Sequence, residues 1–409
     1  MVGAYRALTG ILEWVSRPAL ALLARRGEEE WGARSGRLPN ARGGAWIHAA
    51  SAGEVRGIVP LAERLGGGAT RPLLVTAHTA AGVAGARRYL PHARTARAPF
   101  DFPGSMRQVM ADVEPAGILL AETELWPNLI LSAHAAGIPV SIVNARISDR
   151  TIGRYAAHRS LTRPLLERFT AIAAQSPEDA ARFVSLGAPE ARVRVTGNMK
   201  HDVPAAAAPP AALPWIDGPL VVAGSLREGE EEIVAEALRI VSRTVPGLRI
   251  VAAPRHRHRG PAVGRAFHYR GFRTSLRSEG GPRGGDNVLV LDTMGELLGF
   301  YARASVAFVG GTILPFGGHN LVEPAALGIP VVHGPFVANC RLEAEALARN
   351  GASAQGPTLD SLVKAFEWFL TDPVAHARAS EAGRRTVLEL SGATDRTVEF
   401  LRERGAWPA

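Results

Sequence analysis

Short apolar runs alternate with amphipathic stretches along this chain, and they do so in two series. The first series falls at residues 46–49, 73–76, 118–121, 140–143 and 172–174. The second falls at 220–223, 249–252, 288–291, 306–309 and 331–333. Such short runs, rich in β-branched and aliphatic residues, read as strands buried on both faces. The longer stretches between them read as crossover helices. Each series therefore predicts a doubly wound parallel sheet, an α/β fold. Between the series, four prolines within residues 204–214 exclude a helix or a central strand. That stretch reads as an extended linker. Residues 280–285, Gly-Gly-Pro-Arg-Gly-Gly, read as a surface loop of the second series.

The expected organisation is an N-terminal helix over 1–30, a Rossmann-like domain over 31–203, the linker over 204–214, and a second Rossmann-like domain over 215–409. Two such domains facing one cleft make a GT-B arrangement, with ligands at the carboxyl ends of the strands. Topology alone leaves many chemistries open. The N-terminal stretch carries Leu8, Ile11, Leu12, Val15, Ala19, Leu22 and Leu23 at helical spacing, interrupted by Glu13, Arg17 and Pro18. An unbroken apolar span of membrane length is absent. Two readings stay open: a helix on the inner membrane face with Arg25 and Arg26 as anchors, or a helix packed on its own domain.

Composition narrows the partners. The chain has 409 residues, 46% hydrophobic and 21% charged, which suits two domains with separate cores. Its net charge is +9, carried almost wholly by arginine, since Lys200 and Lys364 are its only lysines. Basic runs are not interleaved with aromatics, so an anionic membrane or substrate ranks above nucleic acid. The single cysteine, Cys340, excludes an intramolecular disulfide and a thiolate zinc cluster.

Candidate chemistry clusters after the apolar runs. Ile47-His48-Ala49-Ala50-Ser51-Ala52-Gly53-Glu54-Val55 takes the chain from a strand into a helix. Ser51 and Gly53 permit close approach, and a carboxylate at Glu54 can take a proton from an attacking hydroxyl. The same residues also read as a capping box, with Ser51 as cap and Glu54 three residues on. Glu122 and Glu124 follow the next apolar run, within Glu122-Thr-Glu-Leu-Trp-Pro127. They are placed for acceptor hydroxyls, or for an ion pair and a helix cap. Arg146, in Asn144-Ala-Arg146, can hold an anionic acceptor or form a structural salt bridge.

In the second half, Ser225 lies in a small-residue turn, Gly224-Ser225-Leu226-Arg227-Glu228-Gly229-Glu230. Arg255 and His256 follow the next run, at the head of residues 255–283, which hold eight arginines and one acid, Glu279. Gly310-Gly311-Thr312 precedes Gly317-Gly318-His319-Asn320-Leu321-Val322-Glu323-Pro324. A glycine turn leading into a helix N-terminus offers free N–H groups to an anion. Glu323, one turn on, can accept two ribose hydroxyls.

Together the motifs resemble the 3-deoxy-D-manno-octulosonic acid (Kdo) transferases of lipopolysaccharide assembly. The markers stand in order: Ser51-Ala-Gly-Glu54, Glu122-Thr-Glu-Leu-Trp-Pro127, Asn144-Ala-Arg146, Gly197-Asn-Met-Lys200, Gly224-Ser225, Pro254-Arg-His256, Asp292-Thr-Met-Gly-Glu296, and Gly317-Gly-His-Asn320 with Glu323-Pro324. The resemblance implies a GT-B enzyme that moves Kdo from CMP-β-Kdo to a lipid A precursor (lipid IVA). It further implies inversion, no metal or other cofactor, and work at the cytoplasmic face of the inner membrane.

It makes Glu54 the general base. Lys200, Arg255 and the Gly318-His319-Asn320 turn fall around the CMP phosphate, and Glu323 on the ribose. Thr293, Met294, Gly295 and Glu296 fall in a loop beside the nucleotide, with Ser225 and His256 also on the donor side. The chain departs from the pattern at Leu226-Arg227, where the family often has a small residue and His. It also has His201 after Lys200 in place of an aromatic, and Ala52 in place of a bulkier valine. Two other functions fit parts of the pattern: a GT-B transferase with a UDP-sugar donor, and a nonenzymatic nucleotide-responsive membrane-surface protein.

Overall fold

The computed structural model describes residues 1–25, 29–66, 71–202 and 215–407. The proposed linker 204–214 lies outside them. Two all-parallel sheets carry the fold. The first contains β1 (Ala45–Ala49), β2 (Leu73–Ala77), β3 (Arg94–Arg97), β4 (Gly117–Ala121), β5 (Val140–Ala145), β6 (Ala171–Ala174) and β7 (Val193–Val195). Its order is β3-β2-β1-β4-β5-β6-β7. The second contains β8 (Leu220–Leu226), β9 (Arg249–Pro254), β10 (Thr274–Leu276), β11 (Val288–Val290), β12 (Val306–Val309), β13 (Val331–His333) and β14 (Ser353–Gln355). Its order is β10-β11-β9-β8-β12-β13-β14.

All ten apolar runs are strands. The four strands that the apolar pattern did not announce are β3, β7, β10 and β14, which are the outer strands of the two sheets. Edge strands have one neighbour and partial exposure, so continuous apolar sequence is not required of them. Arg94-Thr-Ala-Arg97 and Val193-Arg-Val195 show this directly. In both sheets the strand order reverses once, between β1 and β4 in the first and between β8 and β12 in the second. Loops leaving such a pair diverge and open a crevice at the carboxyl ends.

The division of the chain differs from the expected boundary at 215–409. One compact unit comprises Met1–Val203 together with Leu390–Ala409; the other comprises Pro204–Glu389. The helix Ala393–Glu403 adds Ala393, Val398, Phe400 and Leu401 to the first unit's core, against the helix Ala52–Gly66. Asp202 fixes this return, because its carboxylate accepts from Gly392 N and Thr394 N, both at 2.6 Å. Apolar pattern alone could not assign the segment, since an amphipathic helix covers either core equally well.

The N-terminal helix Val2–Arg25 packs on its own unit, as one of the two earlier readings has it. Tyr5, Thr9 and Glu13 face that unit. The Tyr5 hydroxyl donates to Asp101, Asn128 Nδ2 donates to Thr9 Oγ1, and Glu13 accepts from Gly104 N and Ser105 N at 2.7 Å. Its apolar residues Leu8, Ile11, Leu12, Trp14, Val15 and Leu22 are exposed. The helix is long and apolar enough to cross a membrane over Val2–Ala24.

Candidate functional site

In the first unit, the crevice strands β1 and β4 bring three carboxylates together. After β1 the chain turns through Ser51 into the helix Ala52–Gly66, with Glu54 in its first turn. The Glu54 carboxylate accepts from Ala50 N at 2.7 Å through Oε2 and from the Ser51 hydroxyl at 2.9 Å through Oε1. Capping does not use the carboxylate up: each oxygen accepts one bond and keeps a second lone pair. Burial raises its pKa, and the Glu122 charge raises it further. The bonds from Ala50 and Ser51 and the charge of Lys200 oppose this.

After β4, Glu122 has a left-handed backbone, φ 57°. A non-glycine residue there carries local strain, a cost often found where a side chain must be aimed. It is aimed at Lys200, whose Nζ lies 2.7 Å from Glu122 Oε1. Glu124 accepts from Trp126 Nε1 at 2.7 Å and does not cap the next helix. That helix, Pro127–Ala135, is held instead by Asp101, which accepts from Asn128 N and Leu129 N. Burial first, then the charges of Glu54 and Glu122, push the Glu124 carboxyl up to about 7 despite the Trp126 bond.

Lys200, expected on the donor side, belongs to this first unit. It lies in the turn Met199–Asp202 and packs on the helix of Glu54. A Cβ built at Gly57 would stand 3.1 Å from its side chain. Asn144 positions that turn: with φ 53°, at an irregularity in β5, its Oδ1 accepts from Met199 N at 3.0 Å. Arg146 follows on the same strand end and is half-buried; its carbonyl accepts from the Thr123 hydroxyl. Gly53 is exposed beside Glu54.

The second unit repeats the design with opposite charge. Ser225, φ 58°, sits at an irregularity near the end of β8. β8 and β12 come close there: a Cβ on Gly310 would lie 2.5 Å from Ser225 O, so only glycine fits. Arg255 and His256 follow β9 and are exposed; the His256 ring stacks on His258 at 5.8 Å. His319 is pushed down to about 4 by burial first and then by the charges of Arg255, Arg227 and His256. Its Nε2 is buried without a hydrogen-bond partner.

Two expectations for this unit change. The glycine turn does not leave all its N–H groups free: Glu230, fully buried, accepts from Gly311 N, Thr312 N and Ile313 N at 2.6, 2.8 and 2.8 Å, and from Arg227 N at 2.9 Å. Gly318 N is also committed, donating to Gly311 O at 2.7 Å. The helix after the turn, Val322–Ala326, is a single short turn carrying Glu323. Asn320 accepts from Val322 N at its start. Glu230 was missed because it stands in an acidic run, Glu230-Glu-Glu232, that reads as ordinary N-terminal helix charge.

The loop Thr293-Met294-Gly295-Glu296 is braced at its end. Arg277 donates to Glu296 at 2.8 and 3.0 Å, and the Thr293 hydroxyl also donates to it. Burial would raise the Glu296 carboxyl, but those bonds and the Arg277 charge outweigh it and lower the pKa. Met294 stands 73% exposed, an apolar side chain free to cover a ligand. Among the described residues no group of three or more His, Cys, Asp or Glu is arranged to hold a metal ion.

The family model described as 3-Deoxy-D-manno-octulosonic-acid transferase (kdotransferase) matches residues 29–203. A 3-deoxy-D-manno-octulosonic acid transferase of Bordetella pertussis is 34% identical over 379 residues, covering 88% of this chain and 86% of that protein. The protein of the same description from Haemophilus influenzae is 31% identical with the same coverage. Among solved structures, a UDP-GlcNAc 2-epimerase from Neisseria meningitidis aligns with a TM-score of 0.63 at 14% identity. The match covers 88% of this chain and all of that one. At that identity the likeness is one of fold, the GT-B class.

Proposed function

The chain belongs to the 3-deoxy-D-manno-octulosonic acid transferase family of glycosyltransferases, and from that premise we propose that it moves Kdo from CMP-β-Kdo to a lipid A precursor such as lipid IVA, with Glu54 as base. Glu54 takes the proton of an acceptor hydroxyl. The oxygen bonds to the anomeric carbon of Kdo from the face opposite the phosphate, and the bond from that carbon to the phosphate oxygen breaks. CMP leaves with the electron pair, and the configuration inverts. Arg255 and the N–H groups of His319 and Asn320 stabilise the charge that develops on the phosphate. Glu323 takes the ribose hydroxyls.

The observation that carries this reading is the carboxylate at Glu54. It is oriented by two hydrogen bonds, and burial and Glu122 raise its basicity. A base must accept a proton readily at neutral pH, and carboxylates reach that range by burial and like charge. Lys200, bonded to Glu122, keeps the three-carboxylate cluster from becoming wholly self-repelling. Arg146 and Glu124 stand on the acceptor side. Membrane work fits the exposed apolar face of the helix Val2–Arg25.

Replacing Glu54 by Gln keeps the shape and removes the base. Transfer from CMP-Kdo to lipid IVA, followed by mass spectrometry of the product, is expected to fall by roughly 10²–10⁴-fold. CMP affinity is expected to stay within about twofold, as a base that acts in the transition state predicts. Near-normal transfer by the folded Glu54→Gln protein refutes the base assignment.

A further inference from the structure

Arg227 is held more firmly than a surface arginine. Its guanidinium lies over the Phe316 ring at 4.5 Å, and Nη1 is 3.1 Å from His256 Nε2. Its stem lies against the glycine turn: a Cβ built at Gly311 would stand 3.6 Å from Arg227 Cγ and 2.9 Å from the His319 ring. Arg227 and His319 therefore line one spot at the carboxyl ends of β8 and β12, with His256 bonded to Arg227 and joining them from β9.

The charge there is uncompensated. Arg259 is neutralised by Glu228 and Glu231, and Arg277 by Glu296. Among the described residues no carboxylate pairs with Arg227 or with Arg255. Glu230, which accepts from Arg227 N, spends its carboxylate on four backbone N–H groups. The charges of Arg227 and Arg255 both act on His256 and His319, and without a counter-charge such a site is stabilised by an anionic ligand. The proposed donor is doubly anionic. Its phosphate oxygen and its sugar carboxylate are bonded to the same anomeric carbon, so a cation beside the phosphate site meets the carboxylate.

We propose that Arg227, clamped between Phe316 and His256, binds the carboxylate of the donor sugar while Arg255 takes the phosphate, so that this site selects an acidic ulosonate over a neutral sugar. The planar fork of an arginine matches a carboxylate in two bonds, which a lysine cannot reproduce. This rests on the donor reading given above and adds to it the group that distinguishes the sugar.

The test compares equilibrium binding of CMP and of CMP-Kdo, without acceptor, to wild-type, Arg227→Ala and Arg227→Lys proteins. Arg227→Ala is expected to weaken CMP-Kdo by roughly 10–100-fold, the scale of a lost charge-assisted pair. CMP, which lacks the carboxylate, is expected to change by less than about twofold, which also shows that the unit is folded. Arg227→Lys is expected to fall between. Equal losses for CMP and CMP-Kdo would place Arg227 on the nucleotide and overturn the assignment, as would no loss for either. A wild-type protein that binds neither nucleotide refutes the donor reading itself, and the assignment with it.

Discussion

Glu230 offers the sharpest test of how the second unit is built. Its Oε1 accepts from Thr312 N and Ile313 N, and its Oε2 from Gly311 N and Arg227 N. Glu230→Gln preserves the volume but leaves one oxygen. Whichever way the amide turns, two buried N–H groups then face an NH2. Each lost bond to a charged acceptor contributes about 1.5–3 kcal/mol, so the variant is expected to lose about 3–6 kcal/mol. Against a typical domain stability of roughly 5–15 kcal/mol, that is a large fraction. Glu232, exposed in the same first turn, is the control. Glu232→Gln removes the same charge from the helix N-terminus at a cost below about 1 kcal/mol. Urea unfolding, read at the transition of the second unit, measures both. CMP titration reads the turn, which is expected to bind weakly once its N–H groups are released. If Glu230→Gln unfolds like Glu232→Gln and binds CMP normally, the carboxylate does not hold the turn.

Two further predictions concern the first unit. Glu124 keeps its proton to about pH 7 in the folded chain, against an ordinary 4.5. On raising the pH the unfolded chain ionises first, so between about 4.5 and 7 the folded state holds the extra proton and stability falls by up to about 3 kcal/mol. Glu124→Gln, which still accepts from Trp126, is expected to equal wild type at pH 4 and exceed it at pH 8 in urea unfolding; parallel curves across that range sink this account. For the N-terminal helix, Ile11→Asp with Val15→Asp charges the exposed apolar face without touching Tyr5, Thr9 or Glu13. Flotation with vesicles of anionic phospholipid is expected to drop at least about tenfold, with CMP affinity kept, and unchanged flotation excludes that face as the membrane contact.

The inner strands were legible because burial on both faces demands continuous apolar sequence. The outer strands were not, because β3, β7, β10 and β14 meet no such demand. Local motifs likewise located Glu54, Glu122 and Glu124 one by one, each with a structural alternative. Their convergence depends on β1 lying beside β4, a long-range pairing that no local window contains. Lys200 shows the same limit. Its motif is recognisable, but its partner Glu122 is 78 residues away, and only the fold brings the two together. The inward polar face of the N-terminal helix was also hidden. Tyr5, Thr9 and Glu13 look like solvent-facing residues until Asp101, Asn128 and the helix start at Gly104 are seen opposite them.

The return of Leu390–Ala409 to the first unit bears on how the protein is made. A nascent chain that has delivered residues 1–203 has every strand of the first sheet but lacks Ala393, Val398, Phe400, Leu401 and Trp407, which close the apolar side of Glu54's helix. That surface waits, uncovered, while some 190 further residues leave the ribosome, which at roughly 5–20 residues per second takes on the order of 10–40 seconds. The helix of Glu54 is therefore sealed only after the second unit has been synthesised. Translation speed and early chaperone contact accordingly bear on this enzyme most at the element that carries its proposed chemistry.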